Sequence, residues 1–352
     1  MEENNYPFLG AIEDPRSIEA KAKDWNFSET ASAVPVIWEE KTLDQVRFFS
    51  RRDQDGSSSC MAQSGVKMLG IENVVEEGIY EELSATPIYQ NRTNKPAQGM
   101  WQQDCLSLLC KPLACLESQL PSQKLSESQI NASYPITQSE TDTAEMYRAS
   151  GYSFIPIDIE KIASVIAEGK AVQLMMFFTA DEWWLNTTPY IKHPELQSSS
   201  DNALRHGICA VDYLLWNGKK ALAIEDSAVY PNENGQRIIT EDFLLTRCFG
   251  AGYLLPLQNQ HAVTNKPKYT FTKPMVYGMY NNTDVKNLQD ILKYEGYMLN
   301  SIPSTGNFLA LTAQALKKWQ VGHDILDFQN ETDLTQIRAG AKTLTALNNI
   351  YE

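Results

Sequence analysis

The spacing of apolar residues predicts a mainly helical region near the start of the chain. From Cys60 onward, apolar residues fall at helical intervals, so a helix is expected to begin there. The serines before Cys60 can cap its first turn, and Gly70 is a suitable residue to end it. The expected buried face comprises Ala62, Val66 and Leu69. Residues 34–118 are therefore predicted to be mostly helical.

A strand-like pattern replaces the helical one from residue 150 to about 258, where β-branched and aromatic runs are frequent. An apolar run at 203–211 predicts a buried strand, and a second run follows at 220–227. Between them, Asn217-Gly218 is a strong signal for a two-residue hairpin. The two runs are therefore expected to pair as antiparallel strands.

Three stretches show no such periodicity. Residues 1–33 are polar and irregular and are interpreted as an N-terminal arm. Either activation needs no cleavage, or this arm is a short plug. Residues 119–145 are rich in Ser, Gln and Thr and are expected to form a long surface loop. Residues 259–274 are interpreted as a linker.

Composition and charge narrow the function classes. The chain has 352 residues, enough for two domains, and a net charge of −14 without a Lys/Arg run, which argues against a nucleic-acid partner. The acidic first residues lack the apolar stretch of a secretory signal. The longest apolar run, 171–180, is about half of the roughly 20 residues that span a membrane. Cytoplasmic synthesis without a signal peptide and no membrane insertion are expected.

The six cysteines are too sparse for a disulfide framework in a chain of this length. Cys105, Cys110 and Cys115 have a regular spacing that invites a metal site, but no histidine is nearby and the spacing is not that of a zinc knuckle. A helix starting at Cys105, with its cysteines as small buried hydrophobic residues, is the favoured interpretation. No metal or organic cofactor is expected.

A candidate nucleophile stands at the predicted helix start. Gln54 lies six positions before Cys60, with small residues between them. The helix N-terminus favours a thiolate at Cys60, and the Gln54 amide can donate to a developing oxyanion. Taken singly, Cys60 could be a buried structural cysteine and Gln54 an ordinary surface residue.

The candidate base is His206, 146 residues after Cys60, on the predicted strand at 203–211. The hairpin would bring Asp226 beside it, where a carboxylate can orient the imidazole. Asp212 is a rival, but along one strand it would lie about 20 Å from the ring. His206 could also be an ordinary core histidine.

Other residues carry weaker signals. Trp183, Trp184 and Trp216 could line a substrate groove, but such residues more often cover the edge of a core. The remaining histidines have no convincing partners in sequence and are interpreted as surface or packing residues. They are His193, His261 and His323.

The arrangement of Gln54, Cys60 and His206 resembles that of papain-like cysteine peptidases, in which the histidine follows the cysteine by roughly 130–150 residues. The resemblance covers about residues 30–260 and extends to the stretches 35–38, 162–172 and 252–256. It implies an α+β, two-lobed peptidase domain. The expected bounds are 34–258, with a helical lobe at about 34–118 and a strand lobe at about 150–258.

The sequence departs from the family pattern at four positions. Ser57 replaces a cysteine that is usually disulfide-bonded, and Met61 replaces the tryptophan after the nucleophile. Asp226 stands where the family has its orienting asparagine, as in the bacteriocin-processing branch. Ala228 replaces the tryptophan that shields that residue, so shielding from water is expected to be weaker.

Residues 275–352 resemble the three-helix peptidoglycan-binding module, through Gly296-Tyr297, a Thr-Gly-x-Phe motif from Thr305, and a Gly-x-x-Thr motif from Gly340. The connection at 321–338 is longer than usual. The resemblance implies a small all-α domain that binds peptidoglycan or a virion protein.

Together these features predict a cysteine endopeptidase with Cys60, His206 and Asp226 as catalytic residues and Gln54 at the oxyanion. The expected substrate is a peptide or a peptidoglycan stem peptide, as for a phage lysin or virion-associated hydrolase that is carried in a virion or released to the cell wall. The alternatives are a phage or virion protein-processing peptidase, and a structural or attachment protein with a degenerate peptidase fold.

Overall fold

The computed structural model describes residues 10–21, 36–184, 186–228, 235–258, 266–298, 304–325 and 331–352. The chain divides into two compact units, Met1–Leu257 and Gln258–Glu352. Each unit has its own buried apolar core.

The first unit contains nine helices and eight strands in its described residues. The helices are α1 (Ile18–Lys21), α2 (Cys60–Glu77), α3 (Thr86–Gln90), α4 (Gln102–Leu109), α5 (Glu127–Ile130), α6 (Gln138–Met146), α7 (Ile159–Ala167), α8 (Ala180–Trp183) and α9 (Glu241–Arg247). The strands are β1 (Ala11–Ile12), β2 (Met100–Trp101), β3 (Tyr152–Phe154), β4 (Val172–Phe178), β5 (Leu204–Trp216), β6 (Lys219–Glu225), β7 (Gln236–Thr240) and β8 (Cys248–Leu254).

Helix α2 begins at Cys60, as predicted, and buries the three apolar residues expected on its inner face. Two details of the prediction are wrong. Ser59 precedes the helix but its side chain makes no capping hydrogen bond. The helix also continues past Gly70 and ends at Gly78, whose φ of 75° is left-handed. A Cβ at Gly70 would lie 2.5 Å from the Glu81 carbonyl oxygen, so this glycine serves close packing instead of termination.

The long loop expected at 119–145 is also wrong, because α5 and α6 lie there. Each helix has a capping box, formed by Ser126 with Gln129 and by Thr137 with Glu140. In each box, the hydroxyl of the first residue accepts a hydrogen bond from the backbone N–H three residues later. The side chain of that later residue accepts from the backbone N–H of the first residue. Local polar side chains therefore start these helices without a long apolar face.

The predicted strand region forms a six-stranded antiparallel sheet in the order β3-β8-β4-β5-β6-β7. The expected hairpin is confirmed: Trp216 pairs with Lys219, and Asn217 and Gly218 have φ values of 52° and 74°. Two successive positive φ angles define the turn whose twist matches paired strands. This turn sets the register that brings the end of β6 beside the beginning of β5.

Helix α2 packs against β5 at a point where the sheet has no side chain. A Cβ at Gly207 would lie 2.3 Å from the sulfur of Met61. Met61 is fully buried in this contact. The glycine therefore lets the first turn of α2 lie directly on the strand that carries His206.

In its described residues, the second unit contains α10 (Thr283–Tyr294), α11 (Ala310–Gly322), α12 (Ala341–Tyr351), a 3₁₀ turn (Leu334–Gln336) and two short strands, β9 (Met275–Val276) and β10 (Arg338–Ala339). The strands pair antiparallel, so the unit is not purely helical as expected. Its core includes Leu288, Leu316 and Trp319.

The described end of the expected linker, 266–274, belongs to this second unit. The Tyr269 N–H donates to the Tyr351 carbonyl oxygen at 2.9 Å, and Phe271 is buried in the core. The linker prediction is therefore wrong for these residues, because aromatic side chains hidden in a polar stretch pack on α12. Residues 259–265 lie outside the described part of the chain.

Among the described residues, none of the helices combines the length and the hydropathy that crossing a bilayer requires.

Candidate active site

The structure brings Cys60, His206 and Asp226 into one cluster. The His206 Nε2 lies 2.6 Å from Asp226 Oδ1, and the Cys60 sulfur is close enough to the same imidazole to raise its pKa. The Gly207 N–H also points at the Cys60 sulfur, 3.3 Å away. Each residue lies at an end or edge of regular structure: the start of α2, the beginning of β5 and the position after β6. Rigid elements therefore hold all three.

The electrostatics of the cluster favour a charged imidazole. Burial by itself would lower the pKa of His206, but the Asp226 carboxylate and the Cys60 sulfur outweigh burial and raise it to about 10. Burial likewise opposes ionisation of Asp226, yet His206, the Arg237 guanidinium and the Ala228 N–H lower its pKa to about 2. The arrangement therefore supports an imidazolium between two acidic groups.

Asp226 is held by more donors than sequence reasoning expected. Its Oδ1 accepts from the Ala228 N–H at 2.8 Å as well as from His206. Its Oδ2 accepts from the indole N–H of Trp183 at 2.9 Å and from Arg237 Nε at 3.1 Å. Trp183 was expected only to line a groove or cover a core edge, and Arg237 was not among the candidates, because no local pattern links either residue to Asp226.

Gln54 lies in the same site, but its side chain is partly committed. The Nε2 donates to the Ser57 carbonyl oxygen at 3.0 Å, and the Oε1 accepts from the Ser227 hydroxyl at 2.7 Å. A primary amide carries two N–H donors, so one hydrogen remains for another acceptor. The oxyanion role stays a prediction.

Ser57, which stands where the resembling family has a bridged cysteine, is fully buried. Its hydroxyl donates to the Gln54 carbonyl oxygen and contacts the Ser59 hydroxyl, both at 2.8 Å. All six cysteines are free thiols. Hydrogen bonds therefore brace the loop before Cys60 without a disulfide.

The N-terminal arm reaches this cluster. Gly10 lies against the thiol so closely that a Cβ on it would be 2.1 Å from the Cys60 sulfur. The next two residues form β1, which pairs in parallel with β2, and the Gly10 carbonyl oxygen accepts from the Met100 N–H at 2.8 Å. Ala11 is fully buried, and Glu13 accepts from the Ser199 hydroxyl. Cys60 and His206 have no exposed surface beneath this segment.

The rival carboxylate has a different task. Asp212 accepts from Lys41 Nζ at 2.8 Å and from the Arg47 N–H at 2.9 Å. It therefore ties the chain near residues 41–47 to β5.

Two histidines that were expected to lack partners have them. His193 contacts Asp181 and Glu195, at 3.1 Å and 3.0 Å, and these carboxylates raise its pKa. His323 stacks on Trp319 and its Nε2 lies 3.1 Å from a carboxylate oxygen of Glu295. His261 lies outside the described residues.

The regularly spaced cysteines lie on and after α4. Cys105 is fully buried, its thiol donates to the Met61 carbonyl oxygen at 3.1 Å, and burial raises its pKa to about 12. The helix starts at Gln102, three residues earlier than expected. Within the part of the chain that the structure describes, there is no group of three or more His, Cys, Asp or Glu side chains that could hold a metal ion.

Solved structures identify the fold. The chain is similar to xylellain, a cysteine protease from Xylella fastidiosa, with a TM-score of 0.55 and 16% identity over 70% of this chain and 95% of xylellain. The fold is that of the papain-like cysteine proteases.

Two other solved structures are less similar to the chain. The bromelain protease from Ananas comosus, solved with the E64 inhibitor, has a TM-score of 0.45 and 14% identity over 59% of this chain and 93% of its own. Procathepsin L 3 from the Tenebrio molitor larval midgut has a TM-score of 0.48 and 18% identity over 64% of this chain and 75% of its own. No protein-family model and no curated protein matches the sequence.

Proposed function

We propose that this chain is a cysteine endopeptidase that hydrolyses peptide bonds through Cys60, His206 and Asp226. The observation that carries the proposal is the position of the His206 imidazole, which binds the Asp226 carboxylate through Nε2 and contacts the Cys60 thiol. A buried imidazole between a thiol and a carboxylate is the arrangement that activates a nucleophilic cysteine.

The first half of the reaction forms a thioester. His206 takes the thiol proton, and the Cys60 sulfur attacks the carbonyl carbon of the scissile peptide. As the tetrahedral intermediate collapses, the C–N bond breaks and His206 returns a proton to the leaving amine. Since Nε2 is bonded to Asp226, Nδ1 is the ring nitrogen through which this proton passes.

The second half releases the acid. Water attacks the thioester while His206 accepts its proton. As the C–S bond breaks, His206 returns that proton to the sulfur, which leaves a carboxylic acid and the thiol. In both halves the oxyanion is placed near the Cys60 N–H at the start of α2 and the second N–H of Gln54. One such donor contributes about 10²–10³ in rate.

With Gly10 against the Cys60 sulfur, the arm keeps the peptidase inactive. Gly10 occupies the space next to the sulfur that a substrate carbonyl must enter. The Gly10 carbonyl oxygen accepts a hydrogen bond from the Met100 N–H and therefore does not take the place of a substrate oxygen at Gln54. Turnover therefore requires residues 10–13 to leave the cluster.

The target of the proposed enzyme is the bacterial cell wall, as for a phage lysin or virion-associated hydrolase. Support comes from the motif resemblance of residues 275–352 to a peptidoglycan-binding module and from the three helices that surround one core in the described part of this range. Clearing of purified sacculi in a gel tests this target. Cleavage of casein with no clearing would favour a protein-processing peptidase.

The catalytic proposal is tested in chains that carry Gly10→Ala, so that the thiol is accessible, by labelling with an epoxysuccinyl thiol inhibitor, followed by mass spectrometry and peptide hydrolysis. Cys60→Ala is expected to lose both the label and hydrolysis. Cys110→Ala is the matched control, because Cys110 is a partly exposed thiol outside the cluster. Hydrolysis that survives in Cys60→Ala would refute the proposal and leave the fold as a scaffold.

A further inference from the structure

The position two residues after Asp226 carries Ala228, which cannot shield the contact between that carboxylate and His206. A different ring is nevertheless present at the contact. Trp183, from α8, is fully buried, and its indole N–H donates to Asp226 Oδ2 at 2.9 Å. Its ring stands edge-on to the His206 imidazole, with centroids 6.5 Å apart and an interplanar angle of 80°.

The indole itself is fixed from two sides. Phe178, the last residue of β4, stacks on it in parallel at a centroid distance of 4.3 Å and also stands edge-on to His206 at 6.3 Å. The guanidinium of Arg237 lies 5.0 Å from the centre of the indole ring on β7's side of the site. Its Nη1 donates to the Trp183 carbonyl oxygen at 2.9 Å.

Arg237 also supplies charge. It is fully buried, like the Asp226 carboxylate that it contacts at 3.1 Å. Once a thiolate and an imidazolium form, the buried cluster holds two anions and two cations. Without the guanidinium it would bury a net negative charge, which is strongly unfavourable in a low-dielectric site.

We propose that Trp183 and Arg237 are positioning residues, which anchor Asp226 Oδ2 so that Oδ1 faces the His206 Nε2–H, and that the Trp183 ring excludes water from this contact in place of the missing ring at position 228. This inference rests on the proposed function. It assigns the last residue of α8, together with a buried arginine, to a task that a ring two residues after the acid would otherwise perform.

The test compares Trp183→Phe with Trp184→Phe, in full-length chains that carry Gly10→Ala so that the thiol is accessible. Trp183→Phe keeps a ring against Phe178 but removes the indole N–H. Trp184→Phe makes the same change one residue later, at a tryptophan that is also buried. Circular dichroism and thermal unfolding establish that both variants fold.

Two readouts separate positioning from packing. Loss of a hydrogen bond to a charged group predicts a fall in kcat of roughly 10-fold in Trp183→Phe, with KM changed by less than about two-fold. The downfield proton resonance of the His206 Nε2–H, assigned by its loss in His206→Gln, is expected to broaden through exchange with water. Trp184→Phe should keep both the rate and the resonance.

Arg237 provides a second test. Arg237→Met is expected to lower kcat by more than 10-fold, and Arg237→Lys, which retains the charge, to recover part of the loss. Unchanged kcat and an unchanged resonance in Trp183→Phe would overturn the inference, as would equal losses in the two tryptophan variants.

The resonance requires no turnover. If it is lost in Trp183→Phe while no chain hydrolyses any peptide, positioning stands and the proposed function fails. If peptides are hydrolysed and the resonance is indifferent to Trp183, the positioning inference alone fails.

Discussion

Gly10→Ala is expected to expose the Cys60 thiol. The added methyl group would lie 2.1 Å from the Cys60 sulfur and 2.9 Å from the Ser58 carbonyl oxygen. Neither neighbour can easily move away, because Ser58 makes this contact with its backbone and Cys60 is the first residue of the buried helix α2. The arm must therefore move instead of the site.

The magnitude follows from overpacking. Inserting a methyl group into a close-packed contact costs about 1–3 kcal/mol. If that cost falls on the covered form alone, the ratio of covered to open molecules decreases by roughly 5- to 150-fold, since 1.4 kcal/mol corresponds to a factor of ten. The backbone at Gly10 is not in the left-handed region, so alanine acts here through steric overlap and not through φ.

The assay is the second-order rate of Cys60 alkylation by iodoacetamide, read by mass spectrometry of the peptide that contains it. Gly56→Ala is a matched control from the loop before Cys60, because a Cβ at Gly56 meets no atom within 4 Å. Gly10→Ala should react roughly 5- to 150-fold faster than wild type, whereas Gly56→Ala should match wild type. Deleting residues 1–16 should give at least the same increase.

The reasoning would be refuted if wild-type Cys60 already reacted as fast as the thiol in the deletion variant. In that case residues 10–13 would not cover the sulfur in solution. Equal acceleration in Gly10→Ala and Gly56→Ala would instead attribute the effect to general loosening of the site.

Three further outcomes follow from the buried charges. With Cys60 made accessible, kcat/KM is expected to fall as pH rises through about 10, the pKa of His206, and Asp226→Asn should move this limb down by roughly 1–3 pH units in a pH–rate profile. The lowered pKa of Asp226 contributes about 2 kcal/mol to the free energy of unfolding, fully present above pH 3.8 and lost as pH falls toward 2. Urea unfolding at pH 6 and pH 2 should therefore show a smaller loss of stability in Asp226→Asn than in wild type. Arg247→Met leaves the buried carboxylate of Glu182 without its cationic partner, so urea unfolding should show a free energy of unfolding lower by roughly 3–5 kcal/mol. Arg247→Lys should lose less; equal losses would contradict the role of charge.

Local signals predicted the elements that carry the candidate residues. Helical spacing predicted the start of α2 at Cys60, and the apolar run with Asn217-Gly218 predicted β5, β6 and their register. These patterns depend only on residues a few positions apart, so they can be recognised in a single sequence. Helices α5 and α6 also begin with local signals, their two capping boxes, but they lack the apolar period that predicts a helix.

Composition was misleading where a few side chains decide the structure. The polar stretch 266–274 looks like a linker, yet Tyr269 and Phe271 dock it on α12. Burial of two aromatic side chains can offset the conformational entropy lost when a short segment becomes ordered, provided that a complementary surface exists. The sequence alone does not show that surface.

The sequence by itself determined the spacing of Gln54 and Cys60, the strand that carries His206, and the hairpin that returns Asp226 to it. Only the tertiary structure decided what surrounds them. The Trp183 indole lies 43 positions before Asp226 in the chain, and Gly10, the first described residue of the unit, contacts the Cys60 sulfur. Secondary structure follows from periodicity within a segment. Contacts between distant segments follow from how packed elements fit together, and they set which donors face a carboxylate and which backbone lies against a thiol.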